Sequence, residues 1–136
     1  MPVGIDYDAG ISAQLKSAVI LAALNSYGDT SIRELKKSRD HTENILITNN
    51  QTIRISKNKI KTIKIIGKKY LKPFKLNVSG DPSSAAFFTA LTLLKNNSTL
   101  KIKNVGLNKT RIGFYEILKK QKVNLKFTNI KKSNNE

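Results

Sequence analysis

The chain has 136 residues, of which 39% are hydrophobic, so it is long enough for one ordinary domain and too apolar for a solvated tail. It contains no cysteine, which excludes a disulfide scaffold and suits a reducing compartment, and no apolar run approaches the roughly 20 residues of a membrane span. Twenty-five Lys+Arg against 9 Asp+Glu give a formal charge of +16, but the lysines alternate with Ile and Leu in "IKTIKII" and "LKIKNV". Such spacing describes the wet face of a sheet better than a concentrated nucleic-acid surface, and a basic nucleic-acid-binding α/β module is kept as the alternative.

Residues 1–10, MPVGIDYDAG, show neither the charged nor the apolar region of a signal peptide, and a cytoplasmic address is expected. From Ser12 the run Leu15, Ala18, Val19, Ala22 repeats at helical spacing. Ser12 is the expected N-cap and Gly28 closes the turn after the helix. "TSIRE", Thr30 to Glu34, reads as a strand. "SRDHTENILI" follows as a second helix, with Asp40 and Glu43 at capping-box spacing. Three alternating stretches, Thr52 to Ser56, Lys61 to Ile66 and Phe74 to Val78, are expected strands.

The pattern then starts again. Asp81 is the expected N-cap and Pro82 the first residue of a buried helix whose apolar run extends from Ala85 to Leu94. Leu100 to Val105 is the next expected strand, "NKTRIGFYEILKK" a short helix, and Val123, Leu125 and Phe127 a last strand. Arg39 and Arg111 stand 72 positions apart, each just before the second helix of its copy. Two similar α/β units with helices over one face of a mixed sheet are implied, neither closed by itself, with the boundary in "KKYLKPFKLNV". The expected division is 1–78 and 79–136.

Chemistry concentrates at a few positions. Ser12, Ala13 and Gln14 open a helix, where unpaired backbone N–H groups and the helix dipole favour a phosphate or carboxylate. The competing reading is that Ser12 only caps and Gln14 faces water. Arg39 can grip an oxyanion bidentately, or pair with Asp40 or Glu43 on the surface. His41 is the single histidine; without cysteines or clustered carboxylates around it no metal site is expected, and packing at a helix start is its simpler role. Ser83 and Ser84 offer hydroxyls near the next helix start, again with capping as the plain explanation. The five phenylalanines, Phe74, Phe87, Phe88, Phe114 and Phe127, fall at buried-looking positions. No GxxxxGK[ST], GxGxxG or GxSxG pattern occurs.

Four segments in this order, "SAQLKSAVILAALN", "SRDHTENIL", "SGDPSSAAFFTALTLL" and "NKTRIGFYEILKK", resemble the EPSP synthase (3-phosphoshikimate 1-carboxyvinyltransferase) family over about Gly10 to Thr128, in the form called class II. The resemblance implies an α/β fold of repeated βαβαββ units, an inside-out α/β barrel, incomplete here. Residues 1–78 would be the last unit of one domain and 79–136 the first part of the other. It also implies transfer of the enolpyruvyl group of phosphoenolpyruvate to the 5-hydroxyl of shikimate 3-phosphate, on the route to chorismate and the aromatic amino acids. No metal or organic cofactor is implied, and the full-length enzyme is expected to be a monomer with these two small-molecule substrates.

By the same resemblance Ser12, Ala13 and Gln14 contact shikimate 3-phosphate, Gln14 also reaches phosphoenolpyruvate, and Ser38 and Arg39 lie near the shikimate phosphate. The family's catalytic residues belong to other segments, so none is assigned here and the chain alone is expected to be inactive. Lys109 and Ile112 depart from the family's usual proline and threonine. UDP-N-acetylglucosamine enolpyruvyltransferase shares the implied fold but lacks the "SAQ" and "RDHTE" pattern.

Overall fold

The computed structural model describes residues 2–47 and 52–132. The chain divides into two units, 1–75 and 76–136, each of which is described by itself. The first unit runs β1 (Asp6–Ala9), α1 (Ala13–Leu24), β2 (Asp29–Glu34), α2 (His41–Leu46), β3 (Ile53–Lys57) and β4 (Lys61–Ile66). This is one βαβαββ unit. Its sheet has the order β1-β2-β4-β3, with β1 parallel to β2 and the other pairs antiparallel.

Alternation decides which side chains leave water. On β2 the inward positions are Thr30, Ile32 and Glu34, all buried, while Asp29 and Arg33 stay exposed. Opposite them on β4, Ile65 pairs with Thr30, Ile63 with Ile32 and Lys61 with Glu34. Ile53 of β3 faces Ile65, and together with Ala9, Ile20, Ala23 and Leu46 these residues form the core of the unit. The outer face is polar and carries the paired charges Arg33–Asp8 and Lys64–Asp29. Of the two lysines in "IKTIKII", Lys64 lies on this wet face, whereas Lys61 stands on the inward register opposite Glu34.

Ser12 caps α1 as expected, its Oγ accepting from the amide of Leu15 at 3.3 Å. The buried face of α1 is different from the expected one. Lys16, Ile20 and Ala23 turn inward, whereas Leu15 is 60% exposed. Apolar pattern misplaced the stripe because the helix is apolar nearly all round and its one inward lysine is neutralised inside. The capping box before α2 is also corrected: Asp40 makes no side-chain cap bond, and Glu43 turns into the interior instead of back to the N-cap. The segment β1, for which no strand was expected, completes the parallel edge of the sheet.

Gly28 adopts φ +80°, the conformation expected of the residue closing the turn after α1. At Gly67 the constraint is space. A Cβ there would overlap the carbonyl oxygens of Ser26 and Gly28, and the Gly67 amide donates to Gly28 at 3.2 Å. Gly67→Ala is therefore expected to lower the unfolding free energy of the first unit by about 2–3 kcal/mol. Urea denaturation checks it; a loss within about 0.5 kcal/mol would mean the backbone gives way there at little cost.

The second unit holds α3 (Pro82–Leu94) and α4 (Gly113–Lys120) around a small core of Ala85, Ile112 and Tyr115, flanked by Val105, Leu107, Leu125 and Phe127. Asp81 caps α3, accepting from the amides of Ser83 and Ser84. The strands expected at 74–78, 100–105 and 123–127 do not form; a single parallel bridge, Gly80 to Val105, is what 100–105 achieves. A strand needs a neighbour to satisfy its amides, and the second unit offers none among the described residues. The buried reading of α3 and of four phenylalanines is corrected as well: Phe87 is 79% exposed, Phe74, Phe88, Phe114, Leu91 and Leu94 are exposed too, and only Phe127 of the five packs against the small core. The polar run Lys131 to Glu136 reads from sequence as a frayed end, and its residues 133–136 lie outside the described residues.

Candidate functional site

The start of α1 is built to present donors. The Ser12 oxygen is occupied by the Leu15 amide, which leaves the hydroxyl hydrogen to be donated elsewhere. The amide of Lys16 closes the first turn onto the Ser12 carbonyl at 3.1 Å. Ala13 and Gln14 occupy the first two helical positions, where backbone N–H groups have no intrahelical acceptor. Gln14 is exposed and adds an amide side chain. One short stretch thus offers a hydroxyl, two backbone amides and a carboxamide at the positive end of a helix dipole.

Beneath this end lies a closed set of four charges. The Lys16 ammonium is fully buried and sits 2.7 Å from Glu34 Oε1 and 2.6 Å from Glu43 Oε1. Lys61, the cross-strand partner of Glu34, is 2.8 Å from Glu34 Oε2 and 3.0 Å from Glu43 Oε1. Two lysines and two glutamates cancel, which is the condition for burying them. The Glu43 Oε2 atom has no hydrogen-bond partner.

This cluster reaches the loop between β2 and α2. Ser38 donates twice to Glu34 Oε1, from its amide at 3.1 Å and from its hydroxyl at 2.7 Å. Ser17 and Thr42 share a 2.7 Å hydroxyl contact between α1 and α2. So the first turn of α1, with Ser12 to Gln14, and the loop bearing Ser38 and Arg39 are held to one scaffold. Arg39 is exposed, and His41 starts α2, half-buried. The sequence singled out Ser12, Gln14, Ser38 and Arg39; it did not single out Lys16, Glu34 or Lys61. A signal existed, since Glu34 falls on the inward face of β2 with Thr30 and Ile32, where a carboxylate demands a buried cation.

Burial by itself would push the Glu34 carboxyl up, but hydrogen bonds from Lys16, Lys61 and Ser38 prevail and bring it from 4.5 down to about 2. Burial likewise works against the Lys61 ammonium, and the two glutamates more than compensate, raising it. A carboxyl depressed on folding contributes stability that is complete above its unfolded value and is lost as pH falls through the folded one. Acid unfolding is therefore expected to begin below about pH 4.5 and to remove about 3 kcal/mol by pH 2 from this group. Glu34→Gln should flatten that part of the pH–stability curve; an unaltered slope would contradict the coupling.

The second unit repeats the pattern without the chemistry. At the same 72-residue offset, Tyr115 stands where Glu43 stands, and its hydroxyl donates to the Pro82 carbonyl at 2.9 Å. The α3 start is already filled by a carboxylate, since Asp81 takes the amides of Ser83 and Ser84 and pairs with Arg111. The Ser83 amide is the foremost cause that lowers the Asp81 pKa. Ser83 accepts from Arg111 and Ser84 donates to Asp81, so capping accounts for both. Arg111 is engaged where Arg39 is exposed. Among the described residues no three His, Cys, Asp or Glu side chains come together to hold a metal, and no helix is long and apolar enough to cross a membrane.

The βαβαββ unit, with the α1 start and the Arg39 loop held to one buried scaffold, defines an α/β protein of the repeat-built class. The family model described as EPSP synthase (3-phosphoshikimate 1-carboxyvinyltransferase) matches residues 3–135, and the chain belongs to that family. It is 46% identical over 126 residues to the 3-phosphoshikimate 1-carboxyvinyltransferase of Petrotoga mobilis, covering 92% of this chain and 28% of that one. With the Bacillus pumilus protein of the same name it is 41% identical over 128 residues, 93% of this chain and 29% of the relative. A solved EPSP synthase from Acinetobacter baumannii superposes with a TM-score of 0.70 at 37% identity, over 87% of this chain and 26% of that chain. The chain thus spans less than a third of the length of these relatives.

Proposed function

We propose that this chain supplies part of the shikimate 3-phosphate site of an EPSP synthase, the enzyme that moves the enolpyruvyl group of phosphoenolpyruvate to the 5-hydroxyl of shikimate 3-phosphate and releases phosphate. The observation that carries this is the α1 start, where Ser12, Ala13 and Gln14 present donors on the same buried scaffold that holds the Ser38 and Arg39 loop. Ser12 and the α1 amides take phosphate or hydroxyl oxygens, Arg39 supplies the full positive charge, and the Gln14 carboxamide reaches both substrates. Lys16 is not a phosphate ligand in this reading, because Glu34 and Glu43 already neutralise it.

Residues 1–78 are the last repeat of one domain and 79–136 open the other. The groups that move protons in the reaction come from the rest of a full-length enzyme, which works as a cytoplasmic monomer without metal or organic cofactor. Positioned charge does most of the work on two such anionic substrates.

Calorimetric titration of the 136-residue chain with shikimate 3-phosphate tests the reading. Saturable binding is expected, with shikimate lacking the phosphate at least about tenfold weaker, as loss of a charged hydrogen-bond partner implies. Steeply salt-dependent binding to generic duplex DNA with no response to shikimate 3-phosphate would replace it by the nucleic-acid module.

A further inference from the structure

Glu34 does more than balance charge. Its Oε1 accepts three hydrogen bonds, from the Lys16 ammonium, the Ser38 amide and the Ser38 hydroxyl, while Oε2 takes Lys61. The carboxylate is buried, with its side chain 1% exposed, and Ser38 is the group through which it reaches the half-open loop. With its hydroxyl hydrogen on Glu34, Ser38 can accept a hydrogen bond from outside but cannot give one.

We infer that Glu34 is the positioning residue of this site: it fixes Ser38 through the amide and holds the hydroxyl hydrogen in reserve, to be turned outward onto an arriving phosphomonoester. The exchange is cheap, because Oε1 keeps the Lys16 ammonium and the Ser38 amide when the hydroxyl rotates away. Glu34 touches no ligand and acts only through Ser38 and the loop that continues to Arg39. Lys16 is shared between Glu34 and the first turn of α1, so the same carboxylate keeps that loop in register with Ser12 and Gln14. The choice of ligand rests on the proposed function; the positioning contact does not.

Two arms on the 136-residue chain separate these. By NMR hydrogen exchange, Glu34→Gln is expected to speed exchange of the Ser38 amide by about tenfold more than that of the β2 and β4 amides, which report the general loss of stability. Equal acceleration throughout β2, β4 and Ser38 would show that Glu34 only holds the sheet together, and would overturn the inference. Should Glu34→Gln fail to fold, Ser38→Ala reads the contact from the other side: the titration midpoint of the Glu34 carboxyl carbon is expected to rise, and an unchanged midpoint overturns it.

In the second arm, inorganic phosphate and shikimate 3-phosphate are titrated into a double-mutant cycle. Glu34→Gln should weaken binding about tenfold in the presence of Ser38 and lose most of that effect in a Ser38→Ala background. Effects that simply multiply overturn the transfer of the hydroxyl. A wild-type chain that binds neither anion sinks the substrate reading, on which the exchange arm does not depend.

Discussion

Replacing Lys16 with methionine is expected to cost about 3–5 kcal/mol of unfolding free energy. Methionine fills most of the volume, so packing is nearly kept. What remains is two carboxylates facing one ammonium, with Lys61 left to serve both Glu34 and Glu43 from a position 22% exposed. A domain of this size holds roughly 5–15 kcal/mol in all, so the variant should be largely unfolded at modest urea concentrations. Removing Glu43 as well, as Lys16→Met with Glu43→Leu, leaves the Lys61–Glu34 pair intact and should recover most of the loss. Urea titrations of the two variants decide the matter. A single-variant loss below about 1 kcal/mol would mean that water reaches this cluster and screens it.

Arg39→Ala is expected to weaken shikimate 3-phosphate binding by about 10- to 100-fold, the effect of removing a charged, forked donor from a phosphate. Arg39→Lys should recover only part, since a point charge cannot reproduce two parallel hydrogen bonds. Arg39 is exposed and belongs to no helix or strand, so the unfolding midpoint should stay put. Gln14→Ala should act in the same direction with a smaller effect, because its carboxamide is neutral. Unchanged affinity in both variants would remove the α1 start and its neighbouring loop from the site.

The difference between these two variants follows how the fold was legible in sequence. Local signals succeeded where a residue answers to its neighbours in the chain: Ser12 and Asp81 as caps, Gly28 at its turn, the alternation of β2, β3 and β4. They failed where the partner is distant. Leu15 looked like core and is exposed, while Lys16, outside the expected apolar stripe, is fully buried, because Glu34 and Glu43 arrive 18 and 27 residues later to neutralise it. Glu43 matched a capping box and instead closes the charge cluster. The strands expected at 100–105 and 123–127 have the right composition but, among the described residues, no neighbouring strand to pair with. The helix start at Ser12 was legible because its donors are consecutive; the Glu34–Ser38 contact was not, because it depends on how a loop folds back.

The cancelled charges under α1 have a kinetic corollary. Two lysines and two glutamates sum to zero, so all of the formal +16 lies elsewhere on the chain and acts at long range. A dianion would be drawn in by that field from beyond contact, and its rate of arrival should drop steeply as added electrolyte shortens the screening length from about 30 Å at 0.01 M to about 8 Å at 0.15 M. Its rate of escape, governed by contacts of a few ångströms, should barely respond.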